Sequence, residues 1–278
     1  MERKSLAKIY CLILCFFFTP VALSDADVKE FKIYHSLGYK GIPDISDVYD
    51  IGYMKIFGHY HFWGKDQQVG VLPTKDRIDK VINEIVDQDY DLVCMDIEAW
   101  PLKINPGYDN KASIANYLYV ASELKRKMPE IKFGYYGVLP IREYYAPLRS
   151  KGKDTAAMKR WMEANQELQV VENYVNVVMP SLYTFKKNMD DWHVYALKNI
   201  EEARKYNKPV IVFLWPEYHK KNGLDYFIDG EYWKFQLETV YKHADGVVIW
   251  GPKINNIKWD EQWPWWVETK KFIKRVNK

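Results

Sequence analysis

The chain has 278 residues, 48% of them apolar and 28% charged, and a formal net charge of +3. That length can bury one large core; 22 Tyr and 11 Trp exclude a disordered chain, and three Cys are too few for a disulfide scaffold. So small a net charge carries no nucleic-acid footprint.

Residues 1–24 have the layout of a secretory signal. Arg3, Lys4 and Lys8 precede the apolar run Ile9 to Phe18, and Pro20 leads to the small residues Ala22 and Ser24. The competing reading is an uncleaved anchor, for which the run is short. Removal leaves residues 25–278 nearly neutral, with Cys94 as the one cysteine. The expectation is a secreted or periplasmic protein without an internal disulfide, a monomer that contacts neither nucleic acid nor membrane. No later segment is apolar for long enough to cross a bilayer.

Short Val/Ile/Tyr/Phe runs predict strands at 31–37, 54–62, 91–98, 132–139, 174–183, 209–215 and 246–251. Amphipathic stretches separate most of them. Asp76 to Asp87 repeats at Ile78, Val81, Ile82 and Ile85, and Ser113 to Lys127 at Ile114, Tyr117, Leu118, Ala121 and Leu124. Further helices are expected over 155–170, 189–205, 231–243 and 261–276. Strands spaced by helices give βαβ units, and about seven without a break in composition predict an α/β fold, a distorted TIM-like barrel of parallel strands. An open doubly wound sheet competes, but no Gly-rich phosphate loop follows the first strand.

Chemistry in such barrels gathers at the C-terminal ends of the strands. Asp96 and Glu98 are two apart at the end of an apolar strand, so both project to one face. Neighbouring, partly desolvated acids raise the pKa of at least one of them, and a carboxyl kept protonated near neutrality is what glycoside hydrolysis requires. Aromatic residues recur at the other strand ends: Tyr135, Tyr136, Tyr183, Trp215 and Trp250, with Trp100 just beyond the acids. Flat faces and hydroxyls around a carboxylate pair suit a sugar. The reading calls for no cofactor. Its rivals are a carbohydrate-binding barrel without turnover, and a metal-dependent hydrolase or deacetylase. The latter would use His59 and His61, at ligand spacing on a strand, with His35, His219 and Asp96.

At these strand ends the sequence resembles the hyaluronidases. The matching pieces, in chain order, are Gly70-Val71-Leu72-Pro73, Asp96-Ile97-Glu98-Ala99-Trp100, Gly134-Tyr135-Tyr136-Gly137 with Pro140, Met179-Pro180-Ser181-Leu182-Tyr183, and Ala244-Asp245-Gly246 through Trp250-Gly251. The resemblance implies a distorted barrel of seven strands and a retaining, substrate-assisted glycosidase. Glu98 would protonate the glycosidic oxygen, and the substrate's own 2-acetamido group would attack the anomeric carbon. Asp96 would orient that group, Tyr183 would hydrogen-bond it, and Tyr136 and Trp250 would wall the pocket. The chain departs from the family in lacking bracing disulfides. It also has Ile141-Arg142-Glu143-Tyr144 where a Cys-Tyr pair follows the proline, which leaves Tyr144 to take that tyrosine's place. The implied substrate is a hyaluronan- or chondroitin-like polymer, for which Lys103, Arg142, Lys186 and Lys187 supply basic groups; another N-acetylhexosamine polymer is equally compatible.

Overall fold

The computed structural model describes residues 30–65, 68–88, 90–150, 153–219, 227–252 and 257–277. The expected signal segment, 1–24, lies outside the described residues. Seven strands are formed among the described residues: β1 (Lys32–Leu37), β2 (Gly52–Tyr53), β3 (Lys55–Gly58), β4 (Leu92–Asp96), β5 (Lys132–Tyr135), β6 (Ile211–Leu214) and β7 (Gly246–Gly251). All pair in parallel, in the orders β2-β1-β7-β6 and β3-β4-β5.

Two seams join these sheets into a distorted barrel. At the first, β2 and β3 are one run interrupted at Met54, whose N–H donates to His35 O (2.8 Å). At the second, residues 176–184 lie between β5 and β6. Gly137 N–H donates to Met179 O (2.9 Å), and Ile211 and Phe213 donate to Val178 O (3.0 Å) and Pro180 O (2.9 Å). This segment was expected as a regular strand, but it makes only isolated bridges. Pro180 is the physical reason, since it has no N–H to give the ladder. The run expected over 54–62 is also shorter. The strand stops at Gly58, and His59–Trp63 is a helical turn whose Phe62 and Trp63 are fully buried.

Strand alternation explains the two cores. Residues 92 and 94, 211 and 213, 177 and 179, with Tyr136, Tyr183 and Val248, form a cluster inside the barrel. Their alternate neighbours Val93, Met95, Phe133, Tyr135, Val212, Val247 and Ile249 belong to the larger core beneath the helices. Those helices follow the apolar periods closely. Lys75–Asp87 buries Ile78, Val81, Ile82 and Ile85, and Lys111–Lys127 buries Ile114, Tyr117, Ala121 and Leu124. Met189–Arg204 and Gly230–His243 begin at side-chain caps, Asn188 accepting from Asp191 N–H (2.8 Å) and Asp229 from Tyr232 N–H (2.9 Å). The helix expected from 261 starts at Pro264, which favours the first helical position; that expected over 155–170 is Ala156–Glu167 followed by Gln169–Glu172. No helix among the described residues is long and apolar enough to cross a membrane.

At the lower end of the barrel, Asp245 of the Ala-Asp-Gly motif is structural: it accepts from Val210 N–H (2.7 Å) and from the Arg204 guanidinium (2.9 Å).

Candidate active site

The inward positions at the C-terminal ends of the strands enclose a cavity of about 280 Å³. β4 supplies Cys94 and Asp96, and Glu98 lies just past its end. Tyr136 follows β5, Tyr183 comes from the irregular segment, and Trp215 and Trp250 come from the ends of β6 and β7. Arg142 and His219 complete the polar lining. A larger groove of about 720 Å³ lies outside the barrel between the last two helices, where charges such as Arg275 and Glu238 pair with each other (2.7 Å).

The aromatic wall is a mutually braced set. Tyr183 stacks on Trp250, with centroids 5.6 Å apart and 22° between planes, and Trp215 stands edge-on to Trp250 at 5.0 Å. Tyr136 lies 5.8 Å from Tyr183, and its hydroxyl bonds to Ser181 Oγ (2.9 Å) and to the Tyr183 hydroxyl. Two glycines permit this approach. A Cβ on Gly134 would meet Val177 O at 2.6 Å, so only glycine lets the irregular segment close against β5. Gly137, at φ +63°, turns the chain directly after Tyr136.

The acids occupy different environments. Asp96 sits deep at the strand end, its Oδ1 buried and without a hydrogen-bond partner among the described residues. Burial, and secondarily the charge of Glu98, push its carboxyl up to about 7. Glu98 is exposed at the mouth. At the inner acid, desolvation rather than repulsion leads the rise. Around them the other acids stay neutral: burial drives the Tyr183 hydroxyl well above its usual range and Tyr136 up to about 12, and it raises the Cys94 thiol as well. The thiol is thus held as SH, the unreactive form.

A second, smaller cavity of about 160 Å³ adjoins the first and shares Glu98, Tyr136 and Arg142 with it. Trp100, expected to contact substrate, lines this neighbour instead. Its indole donates to Gly70 O (2.8 Å), its ring packs on Trp63 and Tyr117, and the loop carrying Gly70-Val71-Leu72-Pro73 is pinned by that bond.

Two aromatic residues expected in the pocket point elsewhere. Tyr135, one residue out of phase with Tyr136, is fully buried outside the barrel wall, its hydroxyl donating to Tyr117 O (2.9 Å). Tyr144 packs among Tyr195, Phe185 and Tyr145 and does not line the cavity.

The histidine reading loses its geometry. His59 and His61 lie in a helical turn, where residues two apart do not share a face. His35 is on the outer side of β1, bonded to Ser46 Oγ (2.8 Å), and burial lowers it to about 4. Among the described residues no three His, Cys, Asp or Glu side chains come together as a metal site. Of the four histidines of that set, His219 lines the cavity, packed 4.8 Å from Phe185 and 5.8 Å from Trp215. It and Arg142 follow strand ends by several residues; the sequence offers Arg142 as a basic group for an acidic polymer and His219 as a metal ligand, and both line this cavity.

No protein-family model matches the sequence, and no curated protein matches it significantly. Solved structures do. The chain is similar to bee venom hyaluronidase at 16% identity, covering 89% of this chain and 97% of that one, with a TM-score of 0.63. It is also similar to bee venom hyaluronidase in complex with a hyaluronic acid tetramer at 16% identity, with coverage of 89% and 96% and a TM-score of 0.66. The protein thus has an α/β barrel fold of the kind seen in those structures.

Proposed function

We propose that this is an exported glycoside hydrolase that cleaves an N-acetylhexosamine-containing polysaccharide, hyaluronan- or chondroitin-like, with retention of configuration. The observation that carries the reading is the acid pair in the aromatic cavity, with Asp96 Oδ1 buried and without a hydrogen-bond partner among the described residues, and an exposed Glu98 two residues on. The export rests on the layout of residues 1–24.

A pyranose carrying a 2-acetamido group stacks against the Tyr183–Trp250 wall. Its amide N–H meets Asp96 Oδ1, which needs such a donor. That contact favours the carboxylate form of Asp96, so the proton the pair holds passes to Glu98. Glu98 then protonates the glycosidic oxygen as that bond breaks. The acetamido oxygen attacks the anomeric carbon and an oxazolinium forms, with its N–H⁺ held by Asp96. Water, deprotonated by Glu98, opens this intermediate from the face the leaving group left, and two inversions give retention. This route differs from the scheme in which an enzyme carboxylate is the nucleophile. The neutral Tyr183 hydroxyl, positioned by its bond to Tyr136, turns its proton toward the acetamido group when the sugar binds.

The test is Glu98→Gln assayed against a panel of N-acetylated polysaccharides with sizing of products. The variant should bind and not cleave, with kcat reduced at least about 10³-fold. Turnover close to wild type would remove Glu98 from the chemistry.

A further inference from the structure

One exposed residue of the cavity is held in place by three buried side chains that belong to no other part of the site. Ile141 N–H donates to Asn165 Oδ1 (2.9 Å), and Ile141 O accepts from the Trp161 indole (2.7 Å). On the other side, Glu143 N–H donates to Asn199 Oδ1 (3.4 Å), and Asn199 Nδ2 returns a bond to Glu143 O (3.0 Å). Asn165, Trp161 and Asn199 are all at most 2% exposed. Through these bonds the three buried side chains clamp the backbone on both sides of Arg142.

The Arg142 side chain lines both cavities beside Glu98. Its guanidinium lies 5.8 Å from the Phe185 ring and makes no ion pair among the described residues. In the smaller cavity, Glu98 and Arg142 are the charged lining groups. Asp96, by contrast, faces only the larger one. Resting on the glycosidase reading above, the acetamido sugar fills the larger cavity and the smaller one receives the sugar that departs after Glu98 protonates its oxygen.

We propose that Arg142 is a specificity-determining residue that binds an anionic substituent, carboxylate or sulfate, on that leaving-side sugar. A guanidinium presents a planar fork suited to either oxyanion. The clamp supplies the preorganisation, since the anchor is fixed before the ligand arrives.

Binding is measured in the Glu98→Gln background, which separates recognition from turnover. The probes are hexasaccharides of hyaluronan (carboxylate), chondroitin 6-sulfate (carboxylate and sulfate) and chitin (neutral). Adding Arg142→Gln should weaken hyaluronan binding roughly tenfold to a hundredfold more than chitin binding. Arg142→Lys should restore part of the difference, and added salt should weaken acidic binding only where the cation is kept. A loss confined to chondroitin 6-sulfate assigns the contact to sulfate. Equal losses on acidic and neutral probes, or no binding of either acidic probe, overturn the proposal. Discrimination through Arg142 with no new reducing ends from the wild-type protein would sink the glycosidase reading and leave this one standing.

Discussion

The Tyr183 and Trp250 rings lie nearly parallel, 22° apart at 5.6 Å, although one belongs to an irregular segment and the other to β7. The contact spans the barrel interior and ties the least regular stave to a well-paired one. Its hydroxyl end points to Tyr136 and its ring shares the cavity with Asp96.

Tyr183→Phe keeps this stack and removes only the hydroxyl. Tyr136 retains its bond to Ser181, so the stability cost is about 1 kcal/mol. The expected kinetic effect is a fall in kcat of about 10²-fold with a much smaller change in KM. Steady-state kinetics and a thermal melt on one sample check both; a kcat within a few-fold of wild type would assign Tyr183 to packing alone.

Asp96→Asn should stabilise the protein at alkaline pH. The folded-state pKa of about 7 lies above the ordinary 3.8, so between these values the folded form binds a proton that the unfolded form has lost. Stability therefore falls as pH rises from about 4 to 7 and stays low above that, by at most about 4 kcal/mol. The asparagine variant lacks this slope. Urea unfolding at pH 4 and pH 8 reads the difference: near zero in acid, favouring Asn in base. The same variant should be inactive on acetamido substrates.

The pH dependence of kcat/KM follows from the same proton. Free protein must carry one proton on the acid pair, and it is lost as Asp96 ionises. The alkaline limb should bend near pH 7, where burial has placed Asp96, rather than near 4. A profile flat from pH 5 to 9 contradicts the shared-proton scheme.

Much of this site was legible because strands alternate with a period of two. Leu92, Cys94 and Asp96 share a face, as do Ile211, Phe213 and Trp215, so the acid and most of the ring wall follow from parity once the strands are placed. Parity also sorts the twin tyrosines, which the motif alone leaves equivalent: Tyr136 faces in and Tyr135 out. Helices were readable from their apolar periods, with ends shifted by caps and by Pro264. What was not legible depends on contacts remote in sequence. The residues His59–Trp63 have strand-like composition, yet Gly58 breaks the ladder and tertiary burial of Phe62 and Trp63 favours a helical turn. Tyr144 is drawn into a cluster with Tyr195 and Phe185, from a helix and a loop far along the chain. Arg142 reaches the cavity because Asn165 and Asn199 hold its neighbours, which no local pattern near Arg142 announces.

The bridge-only segment between β5 and β6 has a consequence for heat inactivation. It carries Ser181 and Tyr183 on isolated bridges rather than on a continuous ladder such as that of β1 and β7, so it is a weak joint of the sugar wall. On warming, the sugar wall should come apart there while the outer helices are still folded, and catalysis should be lost several degrees before the far-ultraviolet signal of helix melting.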